Sequence, residues 1–139
     1  MLLRQRLAVV IPAFNTSARV LRVLDTLPPE VDVAFVVNDA STDDTPRLLR
    51  GLDSPRVRVL HHDTNRGVGG ALATGYAAAL DDGADLVAVM AGDAQMCPDD
   101  LVPLAMPVAL GHADYTKGNR LAHPDCRRVM PLSRWVGNQ

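Results

Sequence analysis

Four short runs of apolar, largely β-branched residues recur along the chain, at 6–11 (RLAVVI), 33–37 (VAFVV), 57–61 (VRVLH) and 85–90 (DLVAVM). Each is short enough for a strand. The stretches between them carry helical spacing instead, first at Ala18, Leu21, Val23 and Leu24, then at Thr45, Leu48, Leu49 and Leu52. The clearest helix starts near Gly67, with Val68, Ala71, Leu72, Gly75 and Ala79 on one face and a high alanine content, and it ends at residues 81–83 (DDG). A further helix is predicted from Pro98, a favoured first-turn residue, with Asp99 and Asp100 where carboxylates suit the helix dipole. Pro103 and Pro107 should shorten or distort it.

Strand and helix therefore alternate, which predicts an α/β fold with a mostly parallel sheet flanked by helices and joined by right-handed crossovers. The 139 residues suit one domain spanning 1–139, and the periodicity weakens from Gly111 onward. Composition agrees: 47% of residues are hydrophobic, chiefly Val, Leu and Ala, and 22% are charged, the balance of a globular protein. A net charge of -2 gives no reason to expect nucleic acid as a partner. Cys97 and Cys126 form no CxxC pair, which argues against structural zinc and for a reducing compartment. Pro12 and Asn15 interrupt the first apolar run, so no transmembrane segment or signal peptide is predicted.

In an open parallel sheet, ligands bind beyond the carboxyl ends of the strands. There the chain places Pro12, Ala13, Phe14 and Asn15, then residues 38–45 (NDASTDDT), then Asn65, Arg66 and Gly67, then Gly92, Asp93, Ala94 and Gln95. In the second segment Ser41 or Thr42 is expected to cap a helix. Asp39 is left either to bond a base or ribose or to act as a turn residue bonding its own backbone. Residues 65–70 (NRGVGG) put Arg66 and three glycines at a helix entrance, where free N–H groups favour an anion, or where glycines allow close helix–sheet packing. The segment is neither a dinucleotide fingerprint, since position 72 is Leu, nor a P-loop. Asp93 and Gln95 can offer a carboxylate and a carbonyl to Mg2+ or Mn2+, hard cations that take oxygen ligands. His61 and His62 lack a carboxylate at metal-ligand spacing and are assigned a structural or surface role; Cys97 is expected to be a small buried residue.

The segments VVIPAFN, VNDASTDDT, NRGVGGAL and VMAGDAQMCPDDL, followed by ADYTKGNRL and MPLSRWVGN, are similar in order and spacing to the family 2 glycosyltransferases of the GT-A fold. The resemblance is closest to members that transfer sugars to polyprenyl phosphates. It implies that Pro12, Ala13, Phe14 and Asn15 line a nucleotide, that Asp39 contacts the base, and that Arg66, Gly67 and Gly70 border the donor. Asp93 becomes the surviving acid of the DxD motif, holding a metal that neutralises the departing nucleoside diphosphate. Lys117 and Arg120 fall where the family meets an acceptor phosphate or the donor diphosphate, although a solvated basic face is the alternative. Thr16, Asn38 and Ala91 stand where family members often carry acids.

The implied function is inverting transfer from a UDP- or GDP-sugar to a polyprenyl phosphate, in the cytoplasm or at the cytoplasmic face of a membrane, with peripheral membrane contact. The resemblance also implies that the chain is an amino-terminal portion, which makes a non-catalytic nucleotide-sugar-binding fragment the alternative. A nicotinamide-binding Rossmann protein is the third reading; the missing fingerprint after the first strand speaks against it.

Overall fold

A computed structural model describes residues 1–119. Arg120, His123, Cys126, Arg127, Arg128 and Arg134 lie outside the described residues, so the phosphate role expected of Arg120 does as well. The described chain runs β1 (Leu7–Ala13), α1 (Val20–Asp25), β2 (Val33–Asn38), α2 (Thr45–Arg50), β3 (Val57–His61), α3 (Gly67–Asp81), β4 (Leu86–Val89) and, after a single 3-10 turn at Pro98–Asp100, α4 (Leu101–Ala109). The strands form one sheet in the order β3-β2-β1-β4, with every neighbouring pair parallel. The predicted α/β class, the four strands and their helical connections are all present.

Alternation along the strands sorts the core into two faces. Val9, Ile11 and Ala13 of β1 with Ala34 and Val36 of β2 pack with Val20, Val23, Leu49 and Leu101, so α1, α2 and α4 cover one side. Ala8, Val10, Val33 and Phe35 point the other way, toward Ala79 and Leu72 of α3. β1 and β2 are buried on both faces, which explains their near-continuous hydrophobic runs.

The buried stripe of α3 is Ala71, Gly75 and Ala79. Val68, placed on that stripe by its spacing, is instead 66% exposed. Close helix–sheet approach rests on Gly75: a Cβ there would lie 2.2 Å from Cγ1 of Val10. Gly67 and Gly69 have open space around them, so they do not serve that packing.

Charges at the other end of the sheet hold the strand starts. The Arg6 guanidinium pairs with Asp82, which Arg58 also reaches at 3.1 Å, and the Leu7 N–H donates to Asp32 at 2.9 Å. The carboxyl ends are thereby left to the loops described next.

Candidate functional site

Registered pairing between β1 and β4 stops short of the end of β1, and Pro12 stands just beyond the point where it stops. Successive residues of a parallel strand bond alternately to the two neighbours: the Ala13 carbonyl accepts from Asp39 at 2.9 Å on the β2 side, whereas those of Val10 and Pro12 accept from Met90 and Gly92 on the β4 side, at 3.1 and 3.3 Å. The N–H that Pro12 lacks would have continued the ladder toward β4. Registered pairing with β4 ends at Val10 and Val89, while pairing with β2 runs on to Ala13 and Asn38. The chain after β4 turns at the point where the strand order reverses about β1, the place where open parallel sheets take ligands.

The loops after β1 and β2 are stapled together by short polar side chains. Asn15 accepts the Thr42 and Asp43 N–H groups on its Oδ1 at 2.9 and 3.3 Å, while its own N–H donates to Ser41 Oγ at 3.0 Å. Asp43 accepts from the Ser17 N–H at 3.1 Å and the Thr45 N–H at 2.9 Å. Burial would raise the Asp43 carboxyl, but the bonds from Thr45 and Ser17 outweigh it and hold the pKa down at about 2. Ser41 and Thr42 were expected to cap α2 and do not. The helix begins at Thr45 with no side-chain bond from its N-cap, Asp44; Asp43 satisfies the first N–H, and Ser41 and Thr42 face Asn15. Pro12 and Ala13 close the end of β1, and Phe14 is exposed beyond it.

Asp39 is buried, and its carboxylate is bonded across to the loop after β3. Oδ1 lies 2.7 Å from His62 Nδ1 and accepts the Arg66 N–H at 2.8 Å, so the side chain bonds the third loop and not its own turn. Burial pushes this carboxyl up, and the Arg66 N–H, His62 and the Gly67 N–H pull it below its ordinary range. His62 Nε2 lies 2.9 Å from Thr74 Oγ1 on α3. The carboxylate partner of His62 is invisible in linear spacing, but the register reveals it: Asn38 pairs with His61, so Asp39 and His62 each stand one step beyond. His61 itself meets Asn38 at 3.1 Å.

Arg66 is the residue before α3 and is exposed; Gly67 has a φ of 75°, in the left-handed region glycine favours. At Gly70 a Cβ would lie 2.5 Å from Arg66 Cβ, so glycine lets the Arg66 side chain lie against the first turn. After β4, Asp93 is half-buried and its Oδ1 accepts the Gln95 N–H at 3.1 Å, while the Gln95 side chain is exposed. A shallow cavity of about 300 Å³ flanks this turn, lined in part by Arg22, Thr26, Met90, Gln95 and Cys97. Cys97 is exposed, contrary to expectation, because it sits where the turn meets the start of the 3-10 segment. Among the described residues no three His, Cys, Asp or Glu side chains converge as a metal cluster. Lys117 is exposed in the segment after α4, beside Thr116, whose hydroxyl donates to the Leu104 carbonyl at 2.6 Å. No described hydrogen bond or ion pair ties Lys117 to the strand-end loops.

Residues 8–138 match Glycosyl transferase family 2. The chain belongs to that family. Similar curated proteins include the UDP-N-acetylglucosamine–dolichyl-phosphate N-acetylglucosaminyltransferase of Methanococcus voltae, 30% identical over 93% of this chain. The undecaprenyl-phosphate mannosyltransferase of Micrococcus luteus is 35% identical over 96% of it. The chain spans 57% of the length of each of these two relatives. Among solved structures, glucosyl-3-phosphoglycerate synthase from Mycobacterium tuberculosis, in complex with Mn2+, UDP and glucosyl-3-phosphoglycerate, superposes with a TM-score of 0.57 and 27% identity. That likeness covers 76% of this chain and 40% of the synthase. The family 2 chain accordingly has a GT-A type α/β architecture, with its four-stranded parallel sheet flanked by helices.

Proposed function

We propose that the site beyond β1 and β4 binds the nucleoside diphosphate of a UDP- or GDP-sugar, and that the sugar passes with inversion to a polyprenyl phosphate. The observation that carries this reading is the meeting of four strand-end loops, each bringing one polar candidate: Asn15, Asp39, Arg66 and Asp93. Pro12, Ala13, Phe14 and Asn15 line the nucleotide, Asp39 accepts from the base, and Arg66 with Gly67 and Gly70 borders the diphosphate at the start of α3. The donor set fits Mg2+ or Mn2+, which take one or two carboxylates and complete their shell with phosphates and water. Asp93 would hold it, since among the described residues its Oδ1 is engaged by the Gln95 N–H alone, and the Gln95 carbonyl is the second candidate ligand. When bound, such an ion neutralises charge on the departing diphosphate. The synthase crystallised with Mn2+ and UDP supports this reading.

The dolichyl- and undecaprenyl-phosphate relatives support this acceptor, and so does chemistry. A phosphate monoester is anionic near neutral pH, so one of its oxygens attacks the anomeric carbon without a general base while the nucleoside diphosphate leaves. Lys117 and Arg120 are proposed to meet that phosphate. A polyprenyl acceptor would draw the protein to the cytoplasmic face of a membrane; no helix among the described residues is long and apolar enough to cross one. A second reading is donor binding without turnover.

Calorimetric titration with UDP and GDP, with and without Mn2+, tests the donor site. Asp93→Ala should lose about tenfold or more of the Mn2+-dependent affinity, as expected for removing a charged ligand. Unchanged metal-dependent binding in that variant would remove Asp93 from the site. Donor binding without transfer to a polyprenyl phosphate would favour the second reading.

A further inference from the structure

We propose that His62 is the positioning residue of the donor site, orienting the Asp39 carboxylate toward the nucleobase and anchoring it to α3 through Thr74; this rests on the donor-site reading above. The imidazole joins three elements. It follows β3, its Nδ1 lies 2.7 Å from Asp39 Oδ1 just past β2, and its Nε2 lies 2.9 Å from Thr74 Oγ1 on α3. Both acidic and basic partners are almost wholly enclosed, with side-chain exposures of 6% for His62 and 4% for Asp39.

The carboxylate sets the direction of the first bond: an ionised carboxylate only accepts, so Nδ1 carries the proton toward Asp39, while a hydroxyl both donates and accepts, so Thr74 can bond Nε2 either way. The carboxylate torsion of an aspartate is broad and two-fold by itself. Here two donors, the His62 ring and the Arg66 N–H at 2.8 Å, converge on the same oxygen. That pins the plane of the group, with the Gly67 N–H also drawing on the carboxylate, and Oδ2 is the oxygen we assign to a ligand. His62 touches no ligand in this arrangement; it acts through Asp39, as the outer partners of metal-ligating side chains act through theirs.

Two amide replacements separate positioning from packing. Asn places its NH2 where the imidazole has Nδ1, whereas Gln reaches the Nε2 position and faces Thr74. The test uses the 139-residue chain, titrated by calorimetry with UDP, GDP and pyrophosphate, each with Mn2+. His62→Gln should bind the preferred nucleotide about tenfold more weakly, the scale of losing a bond to a charged group, and His62→Asn should stay within about threefold. Pyrophosphate carries no base, so its affinity should hold in both. Equal nucleotide affinity in His62→Gln and the original chain overturns the inference, as does a parallel loss of pyrophosphate binding or an equal loss in both variants. If His62→Gln does not fold, Thr74→Val decides: it keeps the packing, removes the hydroxyl, and should weaken nucleotide alone by about two- to threefold; no change overturns the anchor. Failure of the unaltered chain to bind either nucleotide overturns the donor-site reading and this inference with it.

Discussion

Replacing Gly75 by Ala adds one methyl group at the closest approach of α3 to the sheet. Its Cβ would stand 2.2 Å from Cγ1, 3.0 Å from Cγ2 and 3.2 Å from Cβ of Val10. Carbon atoms prefer about 3.5–4.0 Å, so the pair must separate by more than about 1 Å. Val10 cannot retreat: it is fully buried on the central strand, with β2 and β4 bonded on either side, and its stiff χ1 would only exchange one methyl for the other. The helix must therefore lift. Overpacking costs about 1–3 kcal/mol, and an approach of 2.2 Å belongs in its upper part, about 2–3 kcal/mol; alanine regains about 1 kcal/mol of helix propensity over glycine, leaving a net loss of about 1–2 kcal/mol. With a urea slope of about 2 kcal/mol/M, the middle of the range for small proteins, the unfolding midpoint should fall by about 0.5–1 M.

The lift has a consequence at the site, because the neighbouring Thr74 would be drawn from His62 and nucleotide affinity should weaken with stability. Val10→Ala in the same chain removes the obstructing methyls, so the double variant should be more stable than the sum of the two single losses. Urea denaturation of the four chains measures this coupling. A Gly75→Ala chain as stable as the original, or an additive cycle, would refute the idea that this contact sets the helix–sheet distance.

Ala40 has a φ of 55° in the loop after Asp39, where an L-residue pays about 1–2 kcal/mol and glycine does not; Ala40→Gly should stabilise the fold by about 0.5–1 kcal/mol after the added unfolded-state entropy, seen as a melting temperature a few degrees higher. Asp43, held at about 2, stabilises the folded chain fully above its unfolded pKa near 3.8, and that contribution fades as pH falls through about 2. Asp43→Asn removes this titration. The stability gap between the two chains should therefore be widest at pH 6 and narrow steadily between pH 4 and 2, which denaturation across that range would measure.

The strands were legible because each is a short apolar run, and the structure moves their ends by no more than two residues. The extension of β1 through Pro12 and Ala13 was not legible, since proline argues against a central strand. It is tolerated because β4 has already ended on the side where the missing N–H would point. Val68 was misplaced for a related reason. A helical pattern fixes an apolar arc but not which edge of it meets the sheet, and here Gly75 against Val10 rotates the buried stripe to Ala71, Gly75 and Ala79.

The candidate site was legible only where position after a strand was enough. Asn15, Asp39, Arg66 and Asp93 each lie in the loop that follows a strand, so the parallel topology alone collects them at one end of the sheet. What the spacing could not show is how the loops restrain one another. Asn15 and Asp43 work as staples across 26 to 28 positions, and His62 reaches Asp39 across 23, because neighbouring strands put residues side by side that the sequence keeps apart. Asn15, Ala40 and Ala94 all adopt left-handed φ values, between 53° and 58°, in the loops that follow β1, β2 and β4. A non-glycine residue holds that conformation only when its surroundings over-determine it, and strain of this kind concentrates where function requires a fixed geometry. The staples supply the over-determination: Asn15 sits within the bonds to Ser41, Thr42 and Asp43, Ala40 follows the buried Asp39, and Ala94 lies inside the bond from Gln95 to Asp93. The residues that could touch a donor are thus carried on loops whose shape is set before any ligand arrives, which lowers the ordering cost that binding would otherwise have to meet.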